Sequence, residues 1–177
     1  ELVARVTLED EVVLEQGVWL QAGVVIKRSA RLGLDCALLP HSVVGERAVL
    51  GPRVETGARV IIGPDVSIGE GCKLDNLVLV GANSKLGRHV LMVGHSMVLT
   101  GCELGDYSVV AAQSVVLPGV KLGAQVQLAA RSFADQDLPK AGTYSGDPAR
   151  PHRQELVLKA LQGRAVELWQ GLRRARR

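Results

Sequence analysis

The sequence predicts an all-β chain, a parallel β-helix of three flat walls and about seven 18-residue coils, followed by a C-terminal α-helix. Three registers of one six-residue period predict it. Every sixth residue from Leu2 to Leu128 is aliphatic, Thr56 alone excepted. Two places before each of these, from Leu8 onward, stands Val, Ala, Cys or Ser, as at Val24, Cys36, Ser42, Val54, Cys72 and Ser114. Glycine directly follows this sixth position at Gly33, Gly45, Gly51, Gly57, Gly63, Gly69, Gly81, Gly87, Gly105 and Gly123. A period of six fits neither an α-helix nor an alternating strand, so the repeat is a supersecondary unit stacked on copies of itself.

Residues 1–131 form the prism. Each hexad supplies one wall, with the aliphatic and small residues pointing inward, and three hexads close a coil. Glycine is expected at the corners, where φ turns positive. About seven coils at the ~4.8 Å spacing of paired strands give a prism on the order of 30 Å long. No hexad is lengthened, so no loop leaves the prism.

Residues 132–151 break the period, and Pro139, Pro148 and Pro151 with Gly142 and Gly146 predict an extended linker. Residues 152–177 turn helical. Leu158, Leu161, Ala165, Leu168 and Leu172 are spaced 3-4-3-4, a short seam suited to packing against copies of itself, although Gly163 and Gly171 weaken it.

Composition narrows the class. A chain of 177 residues with 47% hydrophobic but 3% aromatic residues makes one domain with an aliphatic core and an appendage. Net charge is +3, but from Pro148 onward eight basic residues stand against two acidic ones. Without interleaved aromatics this tail does not read as a nucleic-acid arm; it reads as a solvated helix face or a guide for an acidic partner. Cys36, Cys72 and Cys102 all occupy inward small positions and read as core thiols. No apolar run reaches the ~20 residues of a membrane span and no signal peptide opens the chain, which predicts a cytoplasmic location.

The outward positions separate the three walls. Val25, Val43, Ile61, Leu79, Met97 and Val115 form a wholly apolar column, while Arg31, Ser67, Lys85, Glu103 and Lys121 dominate a polar one. The third, with Trp19, Glu55, Lys73 and Leu91, is mixed. An apolar stripe on a flat wall marks an interface, so the chain is expected to form a homotrimer of parallel prisms with the stripe buried between subunits.

Three stretches carry a family resemblance: Leu74-Asp75-Asn76-Leu77-Val78-Leu79-Val80-Gly81-Ala82-Asn83, Val110-Ala111-Ala112-Gln113-Ser114, and Thr143-Tyr144-Ser145-Gly146-Asp147-Pro148-Ala149-Arg150-Pro151-His152-Arg153. With these the chain resembles the UDP-3-O-acylglucosamine N-acyltransferases of lipid A biosynthesis, which are hexapeptide-repeat acyltransferases. The resemblance implies a left-handed β-helix, a homotrimer, and transfer of a hydroxyacyl group from the phosphopantetheine of acyl carrier protein to the amine of a UDP-aminosugar. No other cofactor and no bound metal are implied. It places Asp75 and Asn76 beside the thioester-bearing arm of the donor, with Asn83 and Gln113 as further substrate-binding positions. It also implies a uridine-binding domain ahead of the prism, whereas these 177 residues begin with the repeat itself.

The chemistry needs a base to take a proton from the attacking amine, and an imidazole suits it. The family's histidine position is held here by Ala82, and a second family histidine matches Gly119. His95 is the substitute catalytic base, expected to point outward from the striped wall. The alternative function is a catalytically inactive trimeric scaffold or binding module, which Ala82 and Gly119 favour. A zinc enzyme on the same prism would need three converging histidines, and His41, His89, His95 and His152 are too scattered to supply them.

Overall fold

The computed structural model describes residues 5–167, 169 and 170. They build a three-sided parallel β-helix of two-residue strands. One wall stacks eight strands: Thr7–Leu8, Val25–Ile26, Val43–Val44, Ile61–Ile62, Leu79–Val80, Met97–Val98, Val115–Val116 and Phe133–Ala134. The second wall stacks seven, from Val13–Leu14 to Lys121–Leu122. The third runs from Trp19–Leu20 through Val126–Leu128 to Gly142–Ser145 and ends on Arg150–Pro151. The eighteen-residue register holds throughout, as in Ile61 paired with Val43 below and Leu79 above.

The core follows from the period. Inward residues from Val24 to Leu128 are buried, in one continuous aliphatic cluster. The small inward residues also do something the period alone does not show. Ser42, Ser84 and Ser114 donate to the carbonyls of Gly57, Leu99 and Ala129 at 2.7–2.9 Å, and Cys36, Cys72 and Cys102 donate to Gly51, Gly87 and Leu117 at 3.0–3.2 Å. Each reaches the corner carbonyl fifteen residues on, so a small polar side chain satisfies a backbone group that the ladder leaves over.

The glycine register has a different cause from the one expected. Gly33, Gly45, Gly51, Gly57, Gly63, Gly69, Gly81, Gly87, Gly105 and Gly123 do not have positive φ; the left-handed residue comes two places later, as at Asp35, Arg47, Arg59, Asn83 and His89. Glycine is needed because the next coil passes too close. A Cβ on Gly57 would lie 2.5 Å from the Asn76 nitrogen, and one on Gly105 would lie 2.4 Å from the Ala124 nitrogen. From Ser29 onward non-glycine residues endure the left-handed corners because each N–H there donates to the coil below, as His95 does to the Asn76 carbonyl at 3.0 Å.

The segment 132–151, expected as a linker, instead prolongs the prism. Phe133–Ala134 pairs with Val115–Val116, Leu138 bridges to Leu122, and Gly142–Tyr144 pairs with Val126–Leu128. Arg150–Pro151 then folds back antiparallel on Tyr144–Ser145 and covers the last strand of the third wall. The prism therefore has about eight coils rather than seven. Proline and glycine broke the hexad pattern without ending the backbone ladder.

The helix His152–Gly163 follows. Its buried residue is Glu155, with Arg150 at 4.0 Å and Lys159 at 3.8 Å, and His152 Nδ1 shares a 2.8 Å hydrogen bond with Ser145 Oγ. Leu161 of the 3-4-3-4 seam is exposed in the single chain; Leu168 and Leu172 lie outside the described residues. No helix among the described residues is long and apolar enough to cross a membrane.

Candidate functional site

The corner leading from the third wall to the first gathers four of the five residues singled out from sequence. Its left-handed positions, one per coil, are Gly23, His41, Arg59, Leu77, His95, Gln113 and Arg131. Asp75 and Asn76 occupy the turn just before Leu77. Both residue types favour such turns because their side chains bond nearby backbone. Asp75 Oδ1 accepts the Asn76 N–H at 2.7 Å and its Nδ2 at 2.9 Å, while Oδ2 accepts the Gly94 N–H at 3.2 Å. Asn76 Oδ1 accepts the Ala58 N–H at 2.8 Å. The pair thus staples three coils, and Gln113 caps the column by accepting from Arg131 Nε at 3.0 Å.

His95 sits in this staple but not on the flat wall, where the sequence placed it. It is a corner residue with φ 60°, and its N–H is held by Asn76. The ring is exposed and has no hydrogen-bond or ion-pair partner among the described residues. An imidazole so placed is free to accept a proton from an incoming group.

Asn83 is the residue the structure does not bring along. With Ala82, Gly101 and Gly119 it lies on the corner between the first and second walls, so the full width of the apolar wall separates it from His95 within one chain. Eighteen-residue stacking makes the separation inevitable: positions 77 and 95 share a corner, and 83 falls on the next one. Of the other histidines, His41 shares the His95 corner three coils away, His89 stacks on Tyr107 at 5.0 Å on the corner between the second and third walls, and His152 opens the helix. Among the described residues no three His, Cys, Asp or Glu side chains converge as a metal site.

Beside the stapled corner the third wall carries a groove of about 480 Å³, lined among others by Leu39, Gly57, Asp75, Asn76, Leu91 and Val93. In the sequence it shows only in the register that follows each inward residue of the third wall. The position after each third-wall aliphatic runs Leu39, Gly57, Asp75, Val93, so a bare glycine lies between bulky neighbours and leaves a hollow. Glu55 and Lys73 pair across its outer side at 3.1 Å.

The other two corners are electrostatically closed. Arg47 holds Asp65 at 2.7 Å and Arg88 holds Asp106 at 2.7 Å. The Arg47 side chain lowers the Asp65 carboxyl, and the Arg88 backbone N–H and guanidinium lower Asp106. Arg53 pairs with Glu70 in the same manner. The cysteines are closed too: burial raises all three thiols, Cys72 to about 11.

No family model and no curated protein matches the sequence. Solved structures do match its shape. UDP-N-acetylglucosamine acyltransferase from Campylobacter jejuni superposes with a TM-score of 0.60 at 16% identity, over 81% of this chain and 71% of that one. The Francisella novicida UDP-N-acetylglucosamine acyltransferase gives 0.55 at 14%, over 81% and 70%. A hexapeptide transferase family protein from Anaplasma phagocytophilum gives 0.57 at 16%, over 94% of this chain and 96% of that chain. At such identities the likeness is one of fold: the chain has the left-handed parallel β-helix of hexapeptide-repeat proteins.

Proposed function

We propose that the protein is an acyltransferase of the hexapeptide-repeat fold, acting as a homotrimer and moving a hydroxyacyl group from acyl carrier protein to the amine of a UDP-aminosugar. The observation that carries the reading is His95, an imidazole without a partner among the described residues, on the corner that joins the apolar wall to a groove of about 480 Å³ lined by Val93, two residues before it. Two solved proteins of this fold are UDP-N-acetylglucosamine acyltransferases, which supports the class of reaction. The motif around Asp75 and the Tyr144–Pro148 segment support the finer assignment.

In this reading the phosphopantetheine arm lies in the groove past Asn76, with its thioester at the corner. His95 takes the proton as the amine nitrogen attacks the thioester carbon, and the sulfur leaves. Asp75 has both oxygens committed to backbone and side-chain N–H groups, so its part is to hold the corner rather than to move protons. Asn83 belongs to another corner, so its way to this chemistry is from a neighbouring subunit. A second reading, an inactive trimeric scaffold, is favoured by Ala82 and Gly119, since neither carries a group able to transfer a proton.

The test is transfer from 3-hydroxyacyl carrier protein to a UDP-3-acyl-glucosamine. Turnover that falls at least about a hundredfold in His95→Ala supports the base, in line with the usual size of general-base effects. Turnover unchanged in His95→Ala removes His95 from the mechanism, and no turnover in the wild type favours the scaffold.

A further inference from the structure

The arginines on the corners fall into two kinds. Arg28, Arg47, Arg53 and Arg88 each meet a carboxylate of their own corner, Asp10, Asp65, Glu70 and Asp106 respectively. Arg5, Arg59 and Arg131 meet none among the described residues, and all three stand on the corner of His41 and His95. The acid of that corner is Asp75, whose oxygens are taken up by Asn76 and Gly94. The fold thus neutralises its cations on two corners and leaves them uncompensated on the third.

The arginines of this corner differ in what lies beside them, and Arg5 stands three coils before Arg59, below the groove. Arg59 follows Ala58, whose N–H is held by Asn76, and stands two residues beyond Gly57; Gly57 and Asn76 both line the groove. Arg131 lies four coils further on, roughly 19 Å at ordinary strand spacing, and its Nε is already donated to Gln113. Arg59 does not itself line the groove; it stands on the adjoining corner, exposed, with a planar fork that no carboxylate among the described residues occupies. A guanidinium in that position matches the geometry of phosphate oxygens and gains from the lack of a competing carboxylate.

We infer that Arg59 binds the phosphate of a phosphate ester whose arm lies in the groove between Leu39 and Val93. The inference rests on the proposed acyl transfer only in taking the arm to be that of a reactant. Two reactants carry such a group, the phosphopantetheine of the donor and the diphosphate of the sugar nucleotide, and the ligand chemistry is the same for both.

Calorimetric titrations of the wild-type protein with 4′-phosphopantetheine against pantetheine, and with UDP against uridine, separate the two sources. One phosphorylated compound is expected to bind about tenfold more tightly than its dephosphorylated partner, the size of one charge-assisted pair. That advantage is expected to vanish in Arg59→Gln and to persist in Arg131→Gln and Arg47→Gln, which also report on folding. Advantage with the first compound assigns the site to the donor, with the second to the acceptor. If phosphate confers no advantage in either pair, or if the advantage survives Arg59→Gln, the inference is wrong. The readout is binding, so absence of acyl transfer would sink the catalytic reading and leave this one standing.

Discussion

Asp75 holds Gly94, the residue immediately before His95, through a 3.2 Å hydrogen bond from the Gly94 N–H to Oδ2. Its other oxygen holds Asn76, whose carbonyl in turn accepts the His95 N–H at 3.0 Å. One carboxylate thus fixes both peptide groups that position the imidazole.

Removing that carboxylate in Asp75→Ala is expected to lower stability by about 1.5 kcal/mol, the lower end of the net worth of hydrogen bonds to a charged group. Urea denaturation measures it, with the midpoint falling and the m-value unchanged. An unchanged midpoint would mean that the staple contributes nothing in solution.

Two glycine-to-alanine substitutions separate crowding from backbone strain. Gly57→Ala places a Cβ 2.5 Å from the Asn76 nitrogen and 2.7 Å from the Asp75 carbonyl carbon, backbone that cannot step aside. It is expected to cost about 2 kcal/mol or more, as overpacking does. Gly101→Ala meets nothing within 4 Å but must keep φ near 73°, which costs about 1 kcal/mol. Equal losses in the two variants, read from thermal or urea unfolding, would contradict this division.

These positions also show how far the sequence alone could be read. The inward columns were legible because one side chain in six must fill a narrow aliphatic channel, which Thr56 alone enters with a hydroxyl, bonded there to Ser42. The wall columns followed by counting eighteens. Which residues meet at a corner was equally countable, yet Asn83 was grouped with Asp75 by a sequence motif that spans one whole wall. Motif proximity is distance along the chain, whereas the coil sorts residues by remainder after eighteen. The groove escaped because it depends on side-chain size in the register after each third-wall aliphatic. The strands beyond Arg131 escaped because backbone pairing continued where the side-chain period stopped.

Cysteine chemistry follows from burial. Cys72, raised to about 11, and the raised Cys36 and Cys102 stay protonated and shielded at pH 8. A thiol reagent such as dithionitrobenzoate is expected to label none in the native protein and all three after denaturation. Because the folded state binds these protons more tightly, their contribution is full below the ordinary thiol range and is lost as pH rises through it toward about 11. Rapid native labelling would show that the prism opens readily.

Acid acts on the corners with the opposite sign. Asp65 and Asp106 are lowered by their arginine partners, so the folded state favours the ionised carboxylates. Their contribution is present above the ordinary aspartate range and is lost as pH falls through the lowered folded values. Melting temperatures recorded from pH 6 downward are expected to fall less steeply for Asp106→Asn than for the wild type. Parallel curves would show that the Arg88 pair is not maintained in solution.

The apolar wall provides the last expectation. Ile61 is 50% exposed in the single chain, although it stands mid-column between Val43 and Leu79, with Met97 and Phe133 further along the same face exposed as well. A run of aliphatic side chains this long on a flat sheet is stable in water when another surface covers it, and a second and third copy of the same prism present one of matching shape. Light scattering after gel filtration is therefore expected to give three times the chain mass for the wild type. Ile61→Asp, which buries an unpaired carboxylate at that contact, is expected to shift the protein toward single chains. Ser67→Asp, at the same height on the polar wall, is expected to leave the assembly intact. A wild-type protein that elutes as a single chain, or an Ile61→Asp variant that still forms trimers, would show that this wall faces something other than its own copies, and with it the corner cleft in which His95 was placed would have to be built from one chain alone.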